Sequence, residues 1–273
     1  GKWSIWTNGQ LTIGNSDGTS VSSNQDSEST AFTLGIDKPY KENGLFGIAF
    51  TFGHDAVDVG SAGSRLESDN YSLSIYSANQ PKTFLPIEAQ IGVGQMKMNT
   101  RRIDKSITHK GNRDVNMIFG SIALLGESLS KGDFQITPYG RAEAAHIQFE
   151  EFSESGSNLA LTFKEQRLNR KMISFGLDFG YEIPLKNLRL RPFGKVEYGH
   201  DFTDDSNVDM NYVGDSQNYR LTIEQAARDF WNTALGIEFY SDNRFSANLT
   251  YEHEEADNSF YTNSYQFHID WHF

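Results

Sequence analysis

Tyr265-Gln266-Phe267-His268-Ile269-Asp270-Trp271-His272-Phe273 closes the chain. Tyr265, Phe267, Ile269, Trp271 and Phe273 share one parity, and Gln266, His268, Asp270 and His272 share the other. Successive side chains of a β-strand point to opposite faces, so this stretch is a strand with one apolar and one polar face. A soluble amphipathic edge strand has the same alternation. Large apolar groups in strict alternation up to a terminal aromatic fit better the last strand of a transmembrane barrel, apolar face in lipid and polar face in the lumen.

Composition supports that reading. The 273 residues suffice for one large barrel or two ordinary domains. Apolar residues are only 37%, low for a globular enzyme. Aromatic residues are 13%, and a barrel whose strands are half polar combines many aromatics with low hydropathy. No run approaches the length of a membrane-spanning helix. The net charge of -12 argues against nucleic acid, which needs a basic footprint. The absence of cysteine permits an oxidising compartment without proving one. No secretory leader opens the sequence, which implies a mature chain or a fragment.

Working back to the start, the same alternation recurs. Trp3, Ile5, Leu11 and Ile13 mark a first strand, with a turn-prone Asn8-Gly9 interrupting it. Phe32, Leu34 and Ile36 mark a second, and Phe46, Ile48, Phe50 and Phe52 a third with tiny residues opposite. Tyr71, Leu73 and Ile75 follow, then Leu85 to Val93. Residues 114–125 are nearly all apolar, so their facing is not assignable. Residues 134–149 hold a seventh strand, Ile173 to Ile183 an eighth, and Leu190, Val196 and Tyr198 a ninth. Trp231 to Phe239 and Phe245 to Tyr251 precede the final strand. Polar connections at 14–29, 54–69, 97–112, 150–168 and 203–228 alternate with short turns, and the last of them has room for an extra hairpin or short helix at Leu221–Arg228. About twelve strands of bilayer-crossing length, with connections alternating long and short, predict an all-β fold: an antiparallel meander β-barrel with short periplasmic turns and long extracellular loops. An even count places both termini at the periplasmic side, and pairing the first strand with the last removes both sheet edges.

Candidate chemistry is sparse. His268 and His272 are too far apart along one strand to share an ion, so at most one of them joins Asp270 with help from a neighbour; solvated lumen groups is the simpler reading. Asp205, Asn207 and Asp209 are spaced like calcium-loop ligands, but Met210 and Ser216 stand where Gly and Glu are required. His253-Glu254-Glu255-Ala256-Asp257 lacks the zinc-protease spacing. His54-Asp55, His146 and Ser153 supply the residue types of a hydrolytic triad without a Gly-x-Ser-x-Gly turn. No catalytic, cofactor-binding or metal residue is assigned, and no cofactor is expected.

The charged residues on the lumen parity say more. Glu88 lies on the fifth strand, Arg141 and Glu143 on the seventh, Asp178 and Glu182 on the eighth, and Arg189, Arg191, Lys195 and Glu197 on the ninth. They give a wall carrying both signs. One reading is polarity that keeps the pore wet. The other is a charged channel wall that contacts a polypeptide passing through it.

Several stretches resemble a known family. Leu34-Gly35-Ile36-Asp37, Gly44-Leu45-Phe46-Gly47-Ile48-Ala49-Phe50 and Tyr71-Ser72-Leu73-Ser74-Ile75-Tyr76 resemble the first half of the autotransporter β-domain of type V secretion. Thr137-Pro138-Tyr139-Gly140 resembles its mid-domain strand, and Phe152-Ser153-Glu154-Ser155-Gly156 with Leu159-Ala160-Leu161 the loop after it. Arg191-Pro192-Phe193, Tyr198-Gly199-His200 and the terminal Phe273 complete the order. The resemblance covers essentially residues 1–273 as a single translocator domain, in the outer membrane of a Gram-negative bacterium.

It implies a non-enzymatic translocator that exports an N-terminal passenger, with a linker helix in the lumen. Gly1 is followed at once by Trp3, so helix and passenger are expected to be absent from this chain. Some relatives cut themselves inside the pore with lumen acidic groups, but no Asn-Asn junction precedes the first strand here. A barrel hydrolase and a small-solute channel are the alternatives. The implied partners are outer-membrane lipid and lipopolysaccharide, the barrel assembly machinery, and the chain's own passenger and linker, around a monomer. Tyr265, Phe267, Ile269, Trp271 and Phe273 resemble the terminal signal which that machinery reads. Deleting Phe273, or Trp271→Asp, is expected to lower insertion, measured as membrane level and heat-modifiable migration. Normal levels of the deletion would reduce these residues to interchangeable lipid-facing groups.

Overall fold

The computed structural model describes residues 3–18, 23–40, 43–81, 84–223, 228–241, 245–256 and 260–272, the last of them by backbone alone. The barrel strands are β1 (Ser4–Ser16), β2 (Gln25–Tyr40), β3 (Gly44–Val59), β4 (Ser64–Asn79), β5 (Ile87–Asp104) and β6 (Ile107–Leu125). β7 (Phe134–Phe149), β8 (Gln166–Tyr181), β9 (Leu188–Asp201), β10 (Asp229–Ser241), β11 (Phe245–Ala256) and β12 (Phe260–His272) complete it. Each is antiparallel to its sequence neighbours. β1 also pairs with β12, from Ser4↔His272 to Ser16↔Phe260, which closes the sheet. Closure is what a bilayer demands, because an unpaired edge in hydrocarbon has no water to satisfy its N–H and C=O groups.

Exposure confirms the parity of the apolar residues. Phe50, Leu73, Val93, Phe175, Leu235, Leu249 and Phe267 are each about half exposed or more, and all stand on the outward face. β6, unassigned from sequence, turns Ile118, Ile122 and Leu124 outward and buries His109, Arg113, Val115 and Ala123 on the inward parity.

Inside, large rings lie over glycines. Trp6 faces Gly35, Tyr76 faces Gly47, Phe119 faces Gly92, Tyr139 faces Gly176, Phe193 faces Gly236 and Phe230 faces Gly199, each pair directly opposite on adjacent strands. A Cβ on any of these glycines would overlap the ring. The glycine makes room for a ring to lie flat along the wall, and such cross-strand contacts fix register.

Two expectations about connections change. Asn8-Gly9 does not interrupt β1, since Asn8 pairs with both Thr33 and His268; ladder bonds on both sides outweigh a local turn preference. Much of the long polar connections is strand. β3 and β4 run on to a turn at 60–63, and β5 and β6 to a two-residue turn at Lys105 and Ser106, both with positive φ. Beyond the membrane both faces meet water, so the apolar alternation that reveals a strand is lost. The 203–228 connection carries a hairpin of Ser206–Tyr212 against Tyr219–Ile223, mostly ahead of the expected Leu221–Arg228, of which 224–227 lies outside the described residues. It joins Leu161–Phe163 and Phe152–Ser153 in a four-stranded external sheet.

Phe50→Arg is expected to destabilise the barrel by about 2–4 kcal/mol more than Thr51→Arg, whose side chain reaches lumen water; reversible unfolding in vesicles measures the difference, and the opposite order would refute the facing of β3. Gly35→Leu should cost about 1–3 kcal/mol by overpacking against Trp6. The loss should shrink in a Trp6→Ala background, measured by a double-mutant cycle.

Candidate functional site

The lumen is the site that these strands enclose, and alternation decides what lines it. At its periplasmic end the first residues of β1 meet the last of β2, β4 and β12. Trp6 donates its indole N–H to the Tyr76 hydroxyl, and Tyr76 donates to Asp37 at 2.9 Å. The Trp6 ring packs on His268 at 5.4 Å between centroids, and Ser4 donates to Asp270. His268 and Asp270 are therefore built into a wall network that sequence reading left as solvated groups.

A second cluster spans β8, β9 and β10. Arg191 binds Asp178 at 2.7 Å and Glu238 at 2.8 Å, and the Tyr240 hydroxyl also donates to Glu238 at 2.8 Å. The Arg191 side chain is 18% exposed. A cation held between two carboxylates in so dry a place keeps all three groups compatible with burial. Arg189 lies over the Tyr240 ring at 5.6 Å. Higher up, Tyr139 donates to Glu197 at 2.7 Å, with Arg141 over the Tyr139 ring at 5.8 Å.

The expected charged wall is thus divided. Asp178, Arg189, Arg191, Arg141 and Glu197 are engaged by neighbours in the wall. Glu88 and Glu143 line a cavity of about 630 Å³ with Arg141, Trp6, Tyr76 and His268. Lys195 stands on the inward face of β9 opposite Asp178. Glu182 follows the last residue of β8 at the periplasmic turn, its N–H bonded to the Asp133 carbonyl at 2.9 Å. Glu238, Tyr240, Tyr139, Trp6 and Tyr76 complete the networks. Their signal was inward parity, but a pairing three strands away is invisible in one strand's pattern.

The external mouth differs. Ile147, Phe149, Leu168, Ile223, Phe230 and Phe260 give an apolar collar to a cavity of about 500 Å³, with Arg170, Asp201 and Glu254 on its wall. Burial pushes the Glu254 carboxyl above its ordinary range. Beside the collar, the loop after β7 folds against β6. Glu154 takes a two-pronged contact from Arg102 at 2.9 and 2.6 Å and accepts the Leu161 N–H. Arg113 donates to the Glu150 and Lys164 carbonyls and lies over Phe149 and Phe152. Asn116, Asp114 and Asn112 on the outward face put this level of β6 above the hydrocarbon. Burial lowers the Arg113 guanidinium to about 10.

The other candidates do not assemble. Asp209 is taken by Arg220 at 2.7 and 2.8 Å. His54 and His146 are outward on β3 and β7, and Ser153 bonds Thr162 at 2.8 Å in the external sheet. Among the described residues no three His, Cys, Asp or Glu side chains converge as metal ligands. Tyr265, Phe267, Ile269 and Trp271 lie on the outward face of β12, and Phe273 lies outside the described residues.

Solved barrels of the same fold are known. The translocator domain of the autotransporter NalP from Neisseria meningitidis superposes with a TM-score of 0.80 at 12% identity, over 100% of this chain and 89% of that one. The β-domain of the Bordetella autotransporter BrkA gives 0.71 at 12% identity, over 100% of each chain. The transport unit of AIDA-I from Escherichia coli gives 0.66 at 13% identity, over 99% and 90%. No curated protein sequence matches this chain. The Autotransporter beta-domain profile matches residues 5–252, nearly the whole barrel. The chain therefore belongs to the autotransporter beta-domain family, the translocator barrels of the bacterial outer membrane.

Proposed function

We propose that this barrel delivers a polypeptide passenger, joined ahead of Gly1, to the cell surface, and that a linker segment occupies the lumen during or after export. The observation that carries the reading is the division of the lumen charges. Arg191 and Asp178 are ion-paired within the wall and Arg141, Arg189 and Glu197 are held against Tyr139 and Tyr240, whereas Glu88 and Glu143 line the open lumen cavity. A segment in the pore would meet a wall that stays wet and holds specific charges for it. Such a setting has a lower effective dielectric than water, so complementarity at these positions matters more. A barrel of this size is wider than the eight-stranded kind and narrower than a porin, and accommodates one helix of about 10–12 Å diameter.

In this reading the domain is a transporter without catalytic residues. The assembly machinery reads Tyr265, Phe267, Ile269, Trp271 and Phe273 at its end. The barrel works as a monomer in contact with outer-membrane lipid.

Restoring a linker and passenger ahead of Gly1 is expected to give passenger cleavable by external protease on intact cells. Single-channel conductance should fall when the linker is present. A passenger retained in the periplasm beside a normally inserted barrel would refute the translocator reading, and solute flux through the bare barrel would then favour a channel.

A further inference from the structure

Among the described residues four histidines point outward, and each stands opposite an Asx on the neighbouring strand. His54 follows Phe52 on β3 and stands opposite Asp69, which precedes Tyr71 on β4. His200 follows Tyr198 on β9 and stands opposite Asp229, which precedes Trp231 on β10. His253 follows Tyr251 on β11 and stands opposite Asn263, which precedes Tyr265 on β12. His146 follows Ala144 on β7 and stands opposite Asn169, which precedes Lys171 on β8. In each case Nδ1 meets the partner's oxygen, at 2.8, 2.7, 2.9 and 2.7 Å respectively. Below three of the four pairs two rings touch: Phe52 and Tyr71 at 5.3 Å, Tyr198 and Trp231 at 5.2 Å, Tyr251 and Tyr265 at 5.4 Å.

The imidazole–Asx pair is a repeated cross-strand unit, with a ring pair beneath it on three of the four hairpins. Its height follows from the outward residues. Beneath it they are hydrocarbon; above it stand Asp58, Arg65 and Glu67, which pair among themselves in water. Paired aromatic rings belong at the boundary between hydrocarbon and headgroups, so the imidazoles sit among the headgroups.

The partner oxygens only accept, so Nδ1 carries the proton and the ring is held in one orientation. Nε2 is turned away from the partner. Neutral, it offers a lone pair; protonated, it becomes a charged donor suited to phosphate. We propose that the four His–Asx units form a ring on the outer rim that binds the phosphate groups of outer-leaflet lipid headgroups, and that imidazole protonation strengthens the contact.

Charged groups of both signs stand around the rings. His54 faces Asp69 on β4 and Thr30 on β2, with Glu28 one pair further out. His200 faces Asp229 on β10, Ile173 on β8 with Lys171 diagonal to it, and the Phe202 ring at 4.5 Å. His146 faces Asn169 on β8, flanked by Arg167 and Lys171, and Ile118 on β6. His253 faces Asn263 on β12, Thr233 on β10 and the Tyr261 ring, with Glu255 beyond it on β11. At His146 Lys171 favours a phosphate, while Arg167 is paired with Glu165 at 2.7 Å. The Asp229 carboxyl is held below the ordinary range by the hydrogen bonds from His200 and the Tyr198 hydroxyl.

The test uses the full chain folded in phosphatidylcholine vesicles doped with lipid A or with its dephosphorylated form. The readout is lipid retained on the extracted barrel, at about pH 5.5 and about pH 7.5, either side of the ordinary imidazole range. Phosphorylated lipid should be enriched about fivefold more at the lower pH, the size of one added surface charge. His54→Gln, His146→Gln, His200→Gln and His253→Gln combined should lose that pH dependence, since Gln keeps a donor to the Asx but takes up no proton. His146→Lys should bind at both pH values. If the combined variant does not fold, each single variant should lose a share of the effect.

Equal retention of the dephosphorylated lipid, unchanged pH dependence in the glutamine variants, or loss of binding on adding EDTA would overturn the proposal. Inorganic phosphate competing as well as lipid A would overturn the assignment to lipid. Passenger export is not read in this assay, so its outcome is independent of the translocator proposal.

Discussion

The constraint on which everything else depends is that no backbone group can go unpaired in hydrocarbon. The thirteen-residue pairing of β1 with β12 meets it by abolishing the sheet edge. Asn8-Gly9 remains extended because two neighbours claim its backbone. The polar lumen follows from the same closure. Alternation sends one parity to lipid, so the other parity is free to be charged, aromatic or small.

How the inside is filled is a packing problem with two solutions in one wall. Six of the inward rings are each received by a glycine on the adjacent strand, as with Trp6 on Gly35 and Phe230 on Gly199. Where charges point inward, opposite charges from three strands converge, as Arg191 does with Asp178 and Glu238. The first device fixes register without polar atoms. The second keeps the lumen charged without net repulsion. Between them they leave an open cavity that Glu88 and Glu143 line from β5 and β7.

The two ends have different chemistry. At the periplasmic end, hydrogen bonds through Trp6, Tyr76 and Asp37 tie together strands far apart in sequence. At the external end the sheet outgrows the membrane. Its loops fold onto its own strands through Arg102–Glu154 and Arg113. Stacking of Phe152 on Phe163 at 5.0 Å gives that external sheet a small apolar core of its own. The outer rim carries the imidazole–Asx pair on four of the external hairpins, with a ring pair beneath three of them.

By itself the sequence determined the number of strands, the facing of all but β6 within the bilayer, and the barrel class. Those features depend on a period of two and on apolar groups meeting lipid, both local properties. Phe46, Ile48, Phe50 and Phe52 could face only outward once their alternation was seen. Only the tertiary structure decided where β3 to β6 end, because outside the membrane both faces are wet and polar residues alternate with polar residues. It alone decided which lumen charges are partnered: Arg191 meets Glu238 across a strand boundary, and Tyr139 reaches over Gly176 of β8 to Glu197 on β9, through a register that no single strand encodes. The His–Asx units were hidden for the same reason. Each needs two residues between 10 and 29 positions apart in the chain, brought opposite by hairpin pairing.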